Sequence, residues 1–215
     1  MNILIFGAGP GLSRSVAHLF GQKGFSVSLI ARNEDKLKEE IKALEAANIK
    51  ADYKVADVGD EKSLTAILDN LKSSERLPDV ILYNAFSLSK GIEAETWDSL
   101  KKQLDVNVGG AFNLIKAIVP AMQKAGKGKI FFTGGGFALD PHPDYVGVGL
   151  GKAALRNLVQ AAAKKVEGTN VHIATLTILG FIGGPDAKYA PDLIAEKYWK
   201  LYNQQQGDFE VEVVY

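Results

Sequence analysis

The chain contains no cysteine. Disulfide frameworks and thiolate metal sites are thereby excluded, and the composition fits a reducing, cytoplasmic setting. It also lacks charge of one sign: 25 Lys+Arg balance 25 Asp+Glu. Neither nucleic acid nor an anionic membrane is implied as a partner. Residues 124–129 are locally basic, but they read as a helix end and turn, where cations offset the helix dipole. Long apolar runs are missing as well. The longest weakly polar run, residues 173–184, is too short to span a bilayer and contains a glycine-rich turn. Met1 leads straight into an apolar strand, with no basic leader and no cleavage site, so no signal peptide is expected. His18 and His172 fall on a helix and a strand without neighbouring ligands, and no metal site is expected.

What is present is alternation. At 215 residues the chain suits one domain, residues 1–215, with a sizeable core. Short apolar runs at 2–6, 25–30, 52–55, 80–83, 129–133 and 171–178 read as strands. Amphipathic segments at 12–23, 34–47, 61–73, 97–124, 144–166 and 190–205 read as helices, and 211–215 suits a last strand. Gly24 and Gly126 stand where left-handed helix caps are expected. Regular β-α alternation implies an α/β fold: a three-layer, doubly wound, mostly parallel sheet of about seven strands with helices on both faces. Ligands of such sheets bind beyond the carboxyl ends of the strands.

The motifs lie there. Gly7-Ala8-Gly9-Pro10-Gly11-Leu12-Ser13 follows the first strand and opens the first helix. Glycines let backbone amides approach a pyrophosphate, and the helix N-terminus adds partial positive charge. The plain alternative is a tight βα turn. The second strand ends Leu29-Ile30-Ala31-Arg32-Asn33. An NAD site wants a carboxylate near Ala31 for the ribose hydroxyls, whereas Arg32 suits a 2′-phosphate. NADP(H) is therefore favoured over NAD(H), with a solvated loop arginine as the alternative.

Tyr145-Val146-Gly147-Val148-Gly149-Leu150-Gly151-Lys152-Ala153-Ala154-Leu155 resembles the active-site helix of short-chain dehydrogenases/reductases, in which a tyrosine precedes a lysine by four positions. The resemblance runs along nearly the whole chain. It implies a Rossmann fold and nicotinamide chemistry on a small-molecule substrate. It also implies cofactor contacts from Gly7, Gly9, Gly11, Leu12 and Arg32, from Asp57 and Val58 near the adenine, from Asn84 and Ala85 in Tyr83-Asn84-Ala85-Phe86, from Lys152, and from Ile182. Asp57 also suits a cap before the third helix, and Phe86, replacing a glycine, should crowd the cleft floor. Asn107 matches the family asparagine that holds a proton-relay water. Lys152 matches the lysine that binds the nicotinamide ribose. The resemblance also implies a homodimer or homotetramer built on the helices at 97–124 and 144–166, although a monomer core would show similar faces.

Two family positions are not kept. Gly135 stands for the catalytic serine and Val148 for the tyrosine. Losing a general acid costs on the order of 10²–10⁴-fold in rate. Losing an oxyanion donor costs roughly 10²–10³-fold, and the effects do not simply add. Gly134–Gly136 read either as an anion-binding run or as a flexible turn. Tyr145 is a candidate replacement donor if the helix already includes it, and His142 is a second. The segment after the sixth strand is short for a substrate lid. Three readings follow: an NADP-dependent oxidoreductase acting on a carbonyl or alcohol with an atypical proton donor, a non-catalytic NADP(H)-binding sensor, and a structural subunit.

Overall fold

The computed structural model describes residues 1–73, 77–88 and 91–215. Strands β1 (Asn2–Phe6), β2 (Ser26–Ala31), β3 (Ala51–Val55), β4 (Val80–Tyr83), β5 (Gly128–Gly135), β6 (Val171–Ile178) and β7 (Glu212–Val214) form one sheet in the order β3-β2-β1-β4-β5-β6-β7. Each neighbouring pair is parallel. Helices α1 (Leu12–Gln22), α2 (Glu34–Ala46), α3 (Glu61–Ser73), α4 (Trp97–Leu104), α5 (Gly110–Ala125), α6 (Val146–Lys165) and α7 (Pro191–Asn203) cover both faces. β4 and β6 are buried along their whole length, which explains their unbroken apolar character.

Side-chain alternation divides the core in two. Ile3 and Ile5 of β1 pack with Val16 and Phe20 of α1, Leu37 of α2 and Tyr198 of α7. Leu4 and Phe6 point the other way, toward Leu64 of α3, Leu114 of α5 and Val159 of α6. The chain reverses its direction across the sheet on either side of β1, where β2 and β4 are the neighbours. That switch point opens a crevice at the carboxyl ends of the strands.

Three expectations need correction. The helix expected at 97–124 is broken by a π turn, Asp105–Gly109, between α4 and α5. The helix expected at 144–166 begins at Val146, after a 3₁₀ turn at Pro143–Tyr145 that starts with a proline and is capped by His142. β5 runs on through Gly135, with Gly134 opposite Thr177 and Gly135 opposite Ile178, so these glycines are ladder residues and not a loose turn. Gly24 (φ 89°) and Gly126 (φ 70°) are left-handed, as expected.

Candidate active site

The glycine loop is dictated by contact as well as by conformation. Gly7 has φ 79°, and a Cβ there would strike the backbone of Ala85 and lie 2.7 Å from the Asn84 carbonyl carbon. Its amide and that of Ala8 are bound by the Ile30 carbonyl at 2.9 and 3.0 Å. Gly11 (φ 92°) opens α1 with no side-chain cap and no acidic residue in the first turn. By contrast α2 and α4 are capped by Asn33 and Thr96. An uncapped helix N-terminus beside Gly9, whose Cβ position is open, is suited to an anion.

A groove of about 400 Å³ begins at this loop. Of the residues expected to bind cofactor, Gly7, Gly9, Arg32, Asp57, Val58, Asn84 and Ala85 line it, while Gly11, Leu12, Lys152 and Ile182 lie outside its lining. Phe86 also lines the groove and is half-exposed. Sequence reasoning missed Lys36, a second cation in the lining. Its backbone amide is held by the Asn33 cap at 2.9 Å. Its place in the first turn of α2, just beyond Arg32, was the available signal.

The Arg32 guanidinium is 70% exposed and 3.7 Å from the Asp57 carboxylate, a weak pairing that leaves it able to turn toward a ligand. Asp57 Oδ1 accepts the Gly59 amide at 2.9 Å, and Asp60 caps α3 through the Ser63 amide at 2.8 Å. The cap of α3 is therefore Asp60 and not Asp57, whose side chain closes an Asx turn beside the groove. A larger cavity, about 760 Å³, lies at the opposite, amino-terminal edge of the sheet near Asp79, Gly128 and Asn170. It is remote from these motifs.

The other end of the crevice is built around the π turn. The Tyr83 hydroxyl donates to the Val106 carbonyl at 2.6 Å, and the Ser87 amide donates to Asn107 Oδ1 at 2.8 Å. These bonds draw Val106 and Asn107 toward β4 and its loop, a tertiary cause for one extra residue in the turn. Asn107 is buried, and its Nδ2 has no hydrogen-bond partner among the described residues. A Cβ at Gly151 would lie 2.7 Å from Asn107 Cβ, so the glycine lets α6 close on that side chain.

Lys152, the next residue, is buried; its Nζ donates to the Thr133 carbonyl at 2.6 Å. No carboxylate reaches it among the described residues. Burial therefore lowers its ammonium to about 8.

The three glycines after Thr133 differ. A Cβ at Gly134 would lie 2.6 Å from Thr175 Cγ2, and one at Gly136 would lie 3.1 Å from Leu179 Cα. At Gly135 it would rest on the Lys152 stem at 3.5–3.8 Å, in ordinary contact. Position 135 alone has room for a side chain, and that side chain would face Lys152.

The model of the short chain dehydrogenases matches residues 1–184 of the sequence. The chain belongs to the short-chain dehydrogenase family. It is 27% identical over 179 residues to 3-dehydrosphinganine reductase TSC10B of Arabidopsis thaliana, covering 81% of this chain but only 53% of that protein. It is 25% identical over 197 residues to the 3-oxoacyl-[acyl-carrier-protein] reductase FabG of Thermotoga maritima, covering 90% of this chain and 78% of that one. Among solved structures, a short-chain dehydrogenase from Rhodopseudomonas palustris superposes with a TM-score of 0.87 at 26% identity, covering 100% of this chain and 97% of that chain. A metagenomic short-chain oxidoreductase solved with NADP has the same fold, with a TM-score of 0.87 at 22% identity and coverage of 100% and 96%.

In this short-chain dehydrogenase Tyr145 does not stand on the helix. It occupies the 3₁₀ turn that precedes α6, so the helical spacing to Val148 does not place the two on one face. Its ring stacks on Phe137 at 4.8 Å and 14°, with His142 at 5.6 Å and Phe181 at 5.9 Å. This aromatic cluster joins the loops after β5 and β6, and periodicity gave no sign of it. Ile182 lies in the turn after β6, 39% exposed. The short segment beyond it forms one 3₁₀ turn, Ala187–Tyr189, fastened by the Tyr215 hydroxyl to the Lys188 carbonyl at 2.8 Å. Among the described residues no group of metal-ligating side chains occurs, and no helix is long and apolar enough to cross a membrane.

Proposed function

We propose that this short-chain dehydrogenase binds NADP(H) and interconverts a carbonyl and an alcohol, with the substrate proton handled by a group other than positions 135 and 148. One observation carries the cofactor choice. Arg32 and Lys36 line the groove beside the end of β2, where Ala31 supplies no carboxylate for a ribose diol. Two cations at a helix N-terminus suit a phosphate; a bare diol gains less from them.

The residues present fit the dinucleotide. The uncapped start of α1 and the glycine loop suit the pyrophosphate, and the groove past Ala56–Val58 suits the adenosine half. Bound NADP(H) supplies the hydride-transfer chemistry. Lys152 has one N–H direction taken by the Thr133 carbonyl, and its others can hold ribose hydroxyls. Asn107 offers a buried, unpaired donor behind it, suited to an ordered water. Gly135 leaves the Lys152 stem uncovered on its side.

With no hydroxyl at 135 or 148, the proton donor must be another group. Tyr145 and His142 are the titratable side chains of the adjoining rim cluster. Turnover with NADPH across a panel of ketones, aldehydes and quinones tests the reading. A measurable rate is expected, reduced 10-fold or more in Tyr145→Phe or in His142→Gln. Unchanged rates in both variants remove the displaced-donor idea.

A second reading, NADP(H) binding without turnover, is favoured by the stacking that engages the Tyr145 ring. NADPH binding with no turnover across the panel selects it. In that event Gly135→Ser/Val148→Tyr should create carbonyl reduction in an otherwise competent site. Exposed Trp97, Phe112 and Leu150 on α4, α5 and α6 support a homodimer or homotetramer built on these helices. Sedimentation at micromolar concentration tests this, and a monomer contradicts it.

A further inference from the structure

A chain of side-chain hydrogen bonds links α7 to the glycine loop. Tyr198 of α7 is buried, and its hydroxyl lies 2.8 Å from Thr133 Oγ1. Thr133 Oγ1 donates to Asn84 Oδ1 at 2.7 Å. A threonine hydroxyl has one proton, so Tyr198 is the donor in the first bond. Asn84 Nδ2 donates to Ser13 Oγ at 2.8 Å, and Ser13 Oγ donates to the Gly7 carbonyl at 2.9 Å. Every hydroxyl proton is used, and the chain runs unbroken from α7 across β5 and β4 to the glycine loop. Burial raises the Tyr198 phenol above its ordinary range, so it remains a donor at any working pH.

Two features give this chain a bearing on ligand binding. It ends on the carbonyl of Gly7, the left-handed residue that turns the loop so that the following backbone meets the groove. It passes through Thr133, whose own carbonyl holds Lys152. One residue therefore anchors both the glycine loop and the lysine. Ser13 is buried in the first turn of α1. Its hydroxyl is bonded on both sides, to the Gly7 carbonyl and the Asn84 amide.

We propose that Ser13, Asn84, Thr133 and Tyr198 are positioning residues: their hydrogen-bond chain holds the glycine loop in its cofactor-binding shape before NADP(H) arrives and ties it to the carbonyl that orients Lys152. This rests on the NADP(H) reading above. Removing the Ser13 or Thr133 hydroxyl leaves polar partners unpaired, and removing the Tyr198 hydroxyl takes away the donor to Thr133; each lets the loop relax, so cofactor affinity should fall together with rigidity.

NADPH fluorescence titration and thermal melting of the full chain test the proposal. Ser13→Ala and Thr133→Val should each weaken NADPH about fivefold to tenfold. The double variant should be no weaker than the poorer single one, because both break one chain. Thr133→Ser keeps the hydroxyl and should bind within about twofold of the wild type. Thr133→Val binding NADPH like the wild type, even with a lower melting temperature, overturns the proposal. So do multiplied effects in the double variant and failure of Thr133→Ser to rescue. Should Thr133→Val not fold, Tyr198→Phe removes only the terminal hydroxyl; about threefold weaker NADPH is expected, and an unchanged Kd overturns the proposal. A wild type that binds no NADPH overturns the cofactor reading and this inference with it. A wild type that binds, with unaffected variants, overturns this inference alone.

Discussion

Gly135 faces the Lys152 stem, and the space between them decides what a side chain at 135 would do. A serine there meets only the lysine stem at ordinary contact distance. Gly135→Ser should therefore change unfolding free energy by less than about 1 kcal/mol in urea titration. Gly134→Ser should cost about 1–3 kcal/mol in the same assay, because its Cβ would press on Thr175 and Thr177. Equal costs would contradict the geometry. Gly7→Ala combines a left-handed φ with a backbone collision and should abolish NADPH binding. The left-handed turn at Gly7 was legible because close backbone approach admits few alternatives, whereas Asn107 and Lys152 were singled out by the family resemblance alone. The inequality of the three adjacent glycines was not, since it depends on what β6, Leu179 and Lys152 bring to each one. Lys36 was missed because an exposed helix lysine looks the same with or without a groove beside it.

The elements were legible in type and order, because strands covered on both faces read as solid apolar runs and helices as stripes. The π turn was not. One extra residue between α4 and α5 leaves the apolar stripe nearly intact, and the bonds that stabilise it come from β4 and its loop. Tyr83→Phe deletes the hydroxyl that binds Val106 and should cost about 1–2 kcal/mol of stability, read by urea denaturation. It should also loosen Asn107, visible as faster amide exchange at residues 105–109. Stability and exchange both unchanged would mean that the turn is held by α6 packing alone. The start of α6 was misplaced for a related reason. The Pro143 ring and the His142 cap favour a separate 3₁₀ turn, and this moves Tyr145 off the helix into the aromatic cluster.

For the whole molecule, the parallel sheet carries the proposed cofactor groove at the strand carboxyl ends and a packed amino-terminal edge opposite. His172 lies at that amino-terminal edge, as the second residue of β6. It is buried against Phe131 and Phe209, with its Nε2 2.8 Å from the Glu210 carbonyl, and burial lowers it to about 4. A folded value below the unfolded value of about 6.5 means that the unfolded chain binds the proton more readily. The stabilisation from neutral His172 is complete above pH 6.5 and lost as pH falls toward 4, a decline of roughly 3 kcal/mol. Urea midpoints measured from pH 7.5 to 4 should fall in that window, and His172→Phe should flatten the slope. A wild-type midpoint that does not move there would mean that water reaches the ring.

On the proposed reading, the glycine loop, Arg32, Lys36, Asn107 and Lys152 at the strand carboxyl ends form a cofactor cleft with no hydroxyl at positions 135 and 148. Calorimetric titration of the wild type with NADPH and NADH tests this most directly. NADPH should bind at least about tenfold more tightly than NADH, in keeping with a charge-assisted contact to the 2′-phosphate, and Arg32→Ala should remove most of the difference. Equal affinities for the two cofactors, or no binding of NADPH, would contradict the account.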